Sequence, residues 1–208
     1  MSFVLEKIEN LFPSELSDQR KGRLRAGLKQ FLSDSKSKIY TDFYSVSDFP
    51  YFLQGDLIYD LRFPLWNDEK KDYVKNYFNV VIISNSCDID EANQGKRGVP
   101  KRVIIAKLFT LNDFNEGLIL HNVENSESII NSLKNQEHSN LMYFPPLNNG
   151  EEYIAFLDEL SWVTVDELKE LKEEINENRI GSLDLFGHYL FLFKVAFHLC
   201  RLPEEIDR

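Results

Sequence analysis

Val80-Val81-Ile82-Ile83-Ser84-Asn85-Ser86-Cys87-Asp88-Ile89-Asp90 is the stretch on which the fold turns. Four consecutive β-favouring apolar residues run without a polar break. That is the pattern of a strand buried on both faces, and so of a strand in the middle of its sheet. The run then empties into short polar, thiol and acidic side chains, which is how a central strand delivers a loop to the surface. The same residues suit a plain turn, because Ser, Asn and Asp hydrogen-bond to their own backbone.

Upstream, Gly55-Asp56-Leu57-Ile58-Tyr59-Asp60-Leu61 reads as a strand following a Gly-Asp turn, with Phe63-Pro64-Leu65-Trp66-Asn67 as its end. Residues 67–76, with Asp68, Glu69, Lys70, Lys71, Asp72 and Lys75, read as a charged surface loop. Residues 34–54 read as a connection hugging the core. Downstream, the Gly-containing polar segment 91–100 is expected to be a mobile loop. Strands are expected over 101–108, over 141–147 with Pro145-Pro146 as the stop, and over 153–157. A short helix suits 126–135.

Three further helices are expected. The first starts at Pro13-Ser14-Glu15 and runs to about Ser33, turning Leu16, Leu24, Leu28, Phe31 and Leu32 inward. The second follows Thr164, whose spacing to Glu167 is that of a capping box, and runs to about Asn176. The third is capped by Ser182 and runs from Leu183 to about Leu202, apolar nearly all round, so that it packs into a core or against a partner. The fold class expected is α+β, divided into an N-terminal helical arm over 1–40 and a body over 41–208.

The chain has 208 residues, 43% of them hydrophobic and 13% aromatic, which are globular values. The longest apolar candidate, Leu183–Leu202, is interrupted by Asp184, His188, Lys194, His198 and Arg201, so no membrane span is expected. The N-terminus has no basic region leading into a long apolar core, and two cysteines are too few for a disulfide scaffold. The cytoplasm is the compartment these features suggest. The net charge of −10 is uneven: residues 1–40 carry eight basic against five acidic groups, and the rest of the chain carries 16 against 29. Affinity for nucleic acid rests on neutralising phosphates, so an acidic body argues against a broad nucleic-acid footprint.

Several residues after the central strand have chemistry. Cys87 becomes a nucleophile if a base such as His121 or His138 lies beside it, which would make the chain a thiol hydrolase. Asp88 and Asp90 can serve as a general base or bind a divalent cation, yet an adjacent Asp also suppresses a thiolate by like-charge repulsion. Arg62, after the first strand, can stabilise a phosphorane or carboxylate, or pair with Asp60 or an acid at the core edge. His188 and His198 lie ten residues apart, about 1,000° around a helix, and do not share a face. No cofactor and no metal are expected, since no His-x-x-x-His, Cys-x-x-Cys or phosphate-loop spacing occurs.

The succession of Gly55-Asp56-Leu57-Ile58-Tyr59, Val80–Asn85, Val103-Ile104-Ile105-Ala106 and a strand ending near Pro145 resembles the MazF/PemK-like toxin family. Phe156–Thr164 and the helix after it are similar to that family's closing elements, and the resemblance spans about residues 54–175. It implies an SH3-like barrel, or a strongly bent sheet. It also implies metal-independent endoribonuclease chemistry, in which an Arg and a Ser/Thr promote attack of a ribose 2′-hydroxyl on the neighbouring phosphate. By position Ser84 matches the family's serine. Where the family usually has Arg-Pro before that strand, this chain has Phe78-Asn79, and Arg62 is not at the equivalent position. The resemblance thus points to a prokaryotic toxin- or defence-type protein with Arg62, Ser84, Cys87 and Asp88 at its site and RNA among its partners. The alternative is a non-catalytic protein-binding module of a toxin-antitoxin or antiphage complex, docking a partner or a second copy through the C-terminal helix.

Overall fold

A computed structural model describes residues 16–31, 40, 42–46, 49–89, 102–171 and 175–199. The parts of the expectations that fall on residues 13–15, 32–39, 41, 47–48, 90–101, 172–174 and 200–202 lie outside the described residues. In chain order the elements are α1 (Asp18–Phe31), β1 (Leu57–Asn67), β2 (Asp72–Ile82), α2 (Ser86–Ile89), β3 (Arg102–Thr110), α3 (Leu111–Leu120), α4 (Ser126–Lys134), β4 (Leu141–Phe144), β5 (Tyr153–Thr164), α5 (Val165–Glu170), α6 (Ile175–Asn178), β6 (Arg179–Gly181) and α7 (Leu185–Leu199).

Among the described residues the strands form one antiparallel sheet in the order β4-β5-β3-β2-β1-β6. The α+β class stands, and β2 is central with Val80, Val81 and Ile82 wholly buried. Alternation along β2 divides its side chains between two cores. Val81 joins Leu57, Ala106, Met142, Phe144 and Phe191 under the helices α1 and α7. Val80 and Ile82 join Leu61, Phe63, Val103, Ile105 and Val163 on the other face, closed by Val165 and Leu168 of α5. A third cluster, with Leu133, Leu141 and Ile154, anchors α3 and α4.

The sheet bends sharply around the second of these cores. Register shifts occur in β1 between Ile58 and Leu61 and in β3 between Ala106 and Lys107, and such bulges increase local twist. Asp60, inside the first bulge, takes a left-handed φ of 46°, and the Asn79 side-chain oxygen accepts its amide at 3.2 Å. The bend brings β1 towards β5, where the Ser161 hydroxyl donates to the Pro64 carbonyl at 3.3 Å. Among the described residues no ladder joins the edges β4 and β6, so strand pairing there does not close the sheet into a barrel.

Three local expectations need correction, and one helix was not expected. Phe63–Asn67 does not stop the first strand but forms its second half, and residues 72–76, expected in the loop, belong to β2. Only residues 68–71 turn the hairpin. Residues 111–120 form a helix that hydropathy did not suggest, its N-terminus capped by the Thr110 hydroxyl, which accepts the Asp113 amide at 3.0 Å. Ser182 does not cap α7; its hydroxyl donates to Asp56 instead, while the Asp184 carbonyl accepts the His188 amide at 2.8 Å.

One close approach fixes α7 in place. The Asp184 amide donates to the Phe43 carbonyl at 2.9 Å, and a Cβ on Gly187 would run into that same carbonyl oxygen. The Phe43 ring, set edge-on to Phe144 and Phe186, carries this contact into the core.

Candidate functional site

The loop after β2 is folded by its own polar side chains. Ser84 Oγ accepts the Ile104 amide at 2.8 Å, and the Ser84 amide donates to the Ile104 carbonyl at 3.3 Å, so Ser84 carries the β2–β3 contact past the end of the ladder. Asn85 Oδ1 accepts the Cys87 amide at 2.9 Å, and the Asn85 carbonyl accepts the Asp88 amide at 2.9 Å; this is an Asx-type start to the single turn α2. Ser86 Oγ accepts the Gln54 amide at 2.9 Å, while the Gln54 side chain donates to the Ile83 carbonyl at 2.8 Å. Cys87 and Asp88 are exposed on this turn.

Arg62 leaves the outer face of β1 and meets α5. Its Nε and one terminal nitrogen grip both carboxylate oxygens of Glu167, the latter at 2.8 Å. Of the two pairings the sequence offered Arg62, Asp60 or an acid at the core edge, the second is the one formed. Glu167 is also the third residue of α5, and it completes the capping box with Thr164: its Oε2 accepts the Thr164 amide at 2.8 Å and hydroxyl at 2.9 Å. Partial burial pushes the Glu167 carboxyl up, but the Arg62 fork and the two Thr164 donors outweigh it, holding the group below the usual carboxylate range.

The histidines considered as bases are engaged elsewhere. His138 Nε2 lies 2.6 Å from the Ser132 hydroxyl, beside the β4 edge of the sheet, and His121 forms the C-cap of α3. The histidine tied to the loop region is one the sequence did not single out for it. His188 on α7 is hydrogen-bonded by the Gln54 backbone, and burial lowers its pKa, which favours the neutral imidazole. Gln54 therefore links His188 to Ser86 through its own main chain. Among the described residues no group of three or more His, Cys, Asp or Glu is placed to hold a metal ion.

A buried polar node lies beside this region. Asp56, almost fully enclosed, pairs with Arg179 of β6 through Nε at 3.1 Å, and accepts the Leu53 amide at 2.9 Å and the Ser182 hydroxyl. Arg179 donates further to the carbonyls of Phe49 at 2.9 Å and Tyr51 at 2.5 Å. Burial pushes the Asp56 carboxyl up, while Arg179, Ser182 and Leu53 pull it down. At this depth no substrate reaches it, so the node pins the 49–56 segment to β6.

The outer face of the β1–β2 hairpin exposes several aromatic rings. Cross-strand partners share a face, so Arg62, Pro64 and Trp66 lie with Tyr73 and Tyr77. Trp66 and Tyr73 meet edge to face with centroids 5.4 Å apart, and Trp66, Tyr73 and Tyr77 are each more than half exposed. A second exposed group sits on β3 and β5, where Arg102 stacks 4.2 Å over Trp162 beside Ile104.

Fold and site together define a mixed α+β chain whose bent antiparallel sheet carries α1 and α7 on one face and, on the other, an enclosed core closed by α5. No family model matches the chain, and no curated protein matches it. No helix among the described residues is long and apolar enough to cross a membrane.

Proposed function

We propose that the chain is a non-catalytic protein-binding module of a toxin-antitoxin or antiphage complex, built on an SH3-like bent sheet. One observation carries the reading: the two side chains on which ribonuclease chemistry would rest are already engaged in holding the fold. Arg62 is gripped by Glu167, and Ser84 Oγ accepts the Ile104 amide. A free guanidinium is needed to neutralise a phosphorane, and Arg62 would have to abandon a two-point ion pair to supply one. Ser84 can still donate its proton, but its oxygen already serves the strand pairing.

The surface supports docking. Exposed Trp and Tyr side chains are the residue types that anchor protein interfaces, and Trp66, Tyr73 and Tyr77 share one face. On α7, Phe186, Leu190 and Phe191 are buried inward while Phe197 and Leu199 remain more than half exposed, giving the C-terminal helix an outward apolar end for a partner.

Incubation of the purified chain with single-stranded and structured RNA tests this. The RNA is expected to stay intact. Cleavage that is abolished by Arg62→Ala or Ser84→Ala would overturn the reading and restore the endoribonuclease.

A further inference from the structure

Between Lys107 and Lys134 the chain carries no Lys or Arg, but it carries Asp113, Glu116, Glu124 and Glu127. This interval builds α3, α4 and the turn between them, inserted between β3 and β4. The two helices and residues 150–152 enclose an open groove of about 770 Å³. Leu111, Ile119 and Ile130 supply its apolar wall, and Asp113, Glu127, Glu151 and Glu152 supply its charge. The lining includes no cationic side chain. Ile119 of this wall is itself exposed, and so are its chain neighbours Leu120, at 78%, and Val123.

The four carboxylates are not equivalent. Glu152 is held by Lys134 at 2.8 Å and by the Tyr143 hydroxyl, and Glu151 accepts the Tyr153 hydroxyl at 2.5 Å and the Asn149 amide at 3.0 Å. Asp113 and Glu127 have no ion-pair partner among the described residues. They sit in the first turns of α3 and α4, where helix dipoles account for some of their placement. Dipoles do not account for the apolar wall, the exposed Leu120 and Val123 beside it and the lack of any Lys or Arg in the same 26 residues. A groove of this composition selects an occupant that is cationic on one side and apolar on the other, since opposite charge steers the encounter and the apolar wall retains it.

We infer that the α3–α4 groove is the docking site for a basic amphipathic segment of the protein partner. This rests on the protein-binding reading above. Nucleic acid is disfavoured by the sign of the field, and a free polyamine would leave Ile119, Leu120 and Val123 uncovered.

The test uses the full chain and two synthetic peptides of equal positive charge, a helical Lys/Leu amphipath and a Lys/Ser control, with spermine as a third probe. The Lys/Leu peptide is expected to bind most tightly, to protect amides within residues 111–130 from hydrogen exchange, and to weaken as salt rises. Asp113→Asn with Glu127→Gln is expected to weaken it about tenfold, and Leu120→Ser severalfold. Asp68→Asn with Glu69→Gln, which removes equal charge from the β1–β2 turn, is expected to change it less than about twofold. The protection footprint on the unaltered chain stands even if a variant folds poorly. Equal binding of both peptides, spermine binding without peptide binding, equal loss in the two charge variants, or a footprint outside α3–α4 would each overturn the inference. A silent groove with intact RNA sinks the groove alone, whereas cleaved RNA sinks the binding-module reading.

Discussion

Lys194 is a cation inside an apolar helix. It is 9% exposed, and its ammonium donates to the carbonyls of Gln136, at 3.0 Å, and His138. Burial lowers its pKa from 10.5 to about 8. Between those values the unfolded chain binds the proton that the folded chain has released, so stability rises with pH across that window. Lys194→Met is expected to flatten this rise, read as the difference in thermal midpoint between pH 8 and pH 10. Glu167 acts at the other end of the scale. Its folded pKa is depressed, so the stability it contributes is present above the usual carboxylate range and is lost as pH falls through the folded value. Glu167→Gln is expected to cost about 1–2 kcal/mol at neutral pH and to reduce the steepness of acid unfolding below about pH 4.5. Neither pairing was legible in the sequence. Arg62 and Glu167 stand 105 positions apart, and Asp56 and Arg179 stand 123 apart. A single chain names the charges but not which of them the bend brings together.

At the level of elements, legibility followed the strength of local signals. Val80–Ile83 announces a doubly buried strand because no polar residue interrupts it, and Thr164-Val165-Asp166-Glu167 announces its capping box because the whole motif lies within one turn. The charged run 67–76 concealed a strand. Its alternation of Tyr73 and Tyr77 against Val74 and Phe78 is the period-2 signal, overshadowed by the lysines and acids around it. Helix α3 was hidden by Asn112, Asn115 and Gly117, which are weak helix formers, although Thr110-x-x-Asp113 was a visible cap. Ser182 had the right composition for a cap, yet the buried Asp56 carboxylate outcompeted the helix for its hydroxyl. Two glycines separate propensity from packing. Gly117 has open space where a Cβ would stand, whereas a Cβ on Gly187 meets the Phe43 carbonyl. Gly117→Ala is therefore expected to stabilise the chain by about 0.5–1 kcal/mol. Gly187→Ala is expected to destabilise it by about 1–3 kcal/mol despite better helix propensity. Urea midpoints of the two variants check both signs. The β4 edge shows a different device: the Gln136 side chain donates to the Tyr143 carbonyl at 2.6 Å and accepts its amide at 3.2 Å, filling a position that another strand would otherwise occupy.

Over the whole molecule, the sheet separates two tasks. One face carries α1 and α7 and a core rich in aromatic rings. The other wraps Leu61, Phe63, Ile82 and Ile105 within the bend, with α5 as its lid. The bend is held across its gap by Arg62–Glu167 and by Ser161 on Pro64. An arginine that resembles a catalytic group in the sequence is in this account a clasp between β1 and α5. The α3–α4 insertion places Asp113 and Glu127, which have no ion-pair partner among the described residues, near the exposed Ile119, Leu120 and Val123.

The clasp can be measured directly with a double-mutant cycle in urea, comparing Arg62→Ala, Glu167→Gln and the pair. If Arg62 holds the fold, each single change lowers stability and the double change costs less than their sum, with a coupling of about 1–2 kcal/mol. An Arg62→Ala chain as stable as the unaltered one, with no coupling to Glu167, would contradict the account and leave the guanidinium available for chemistry.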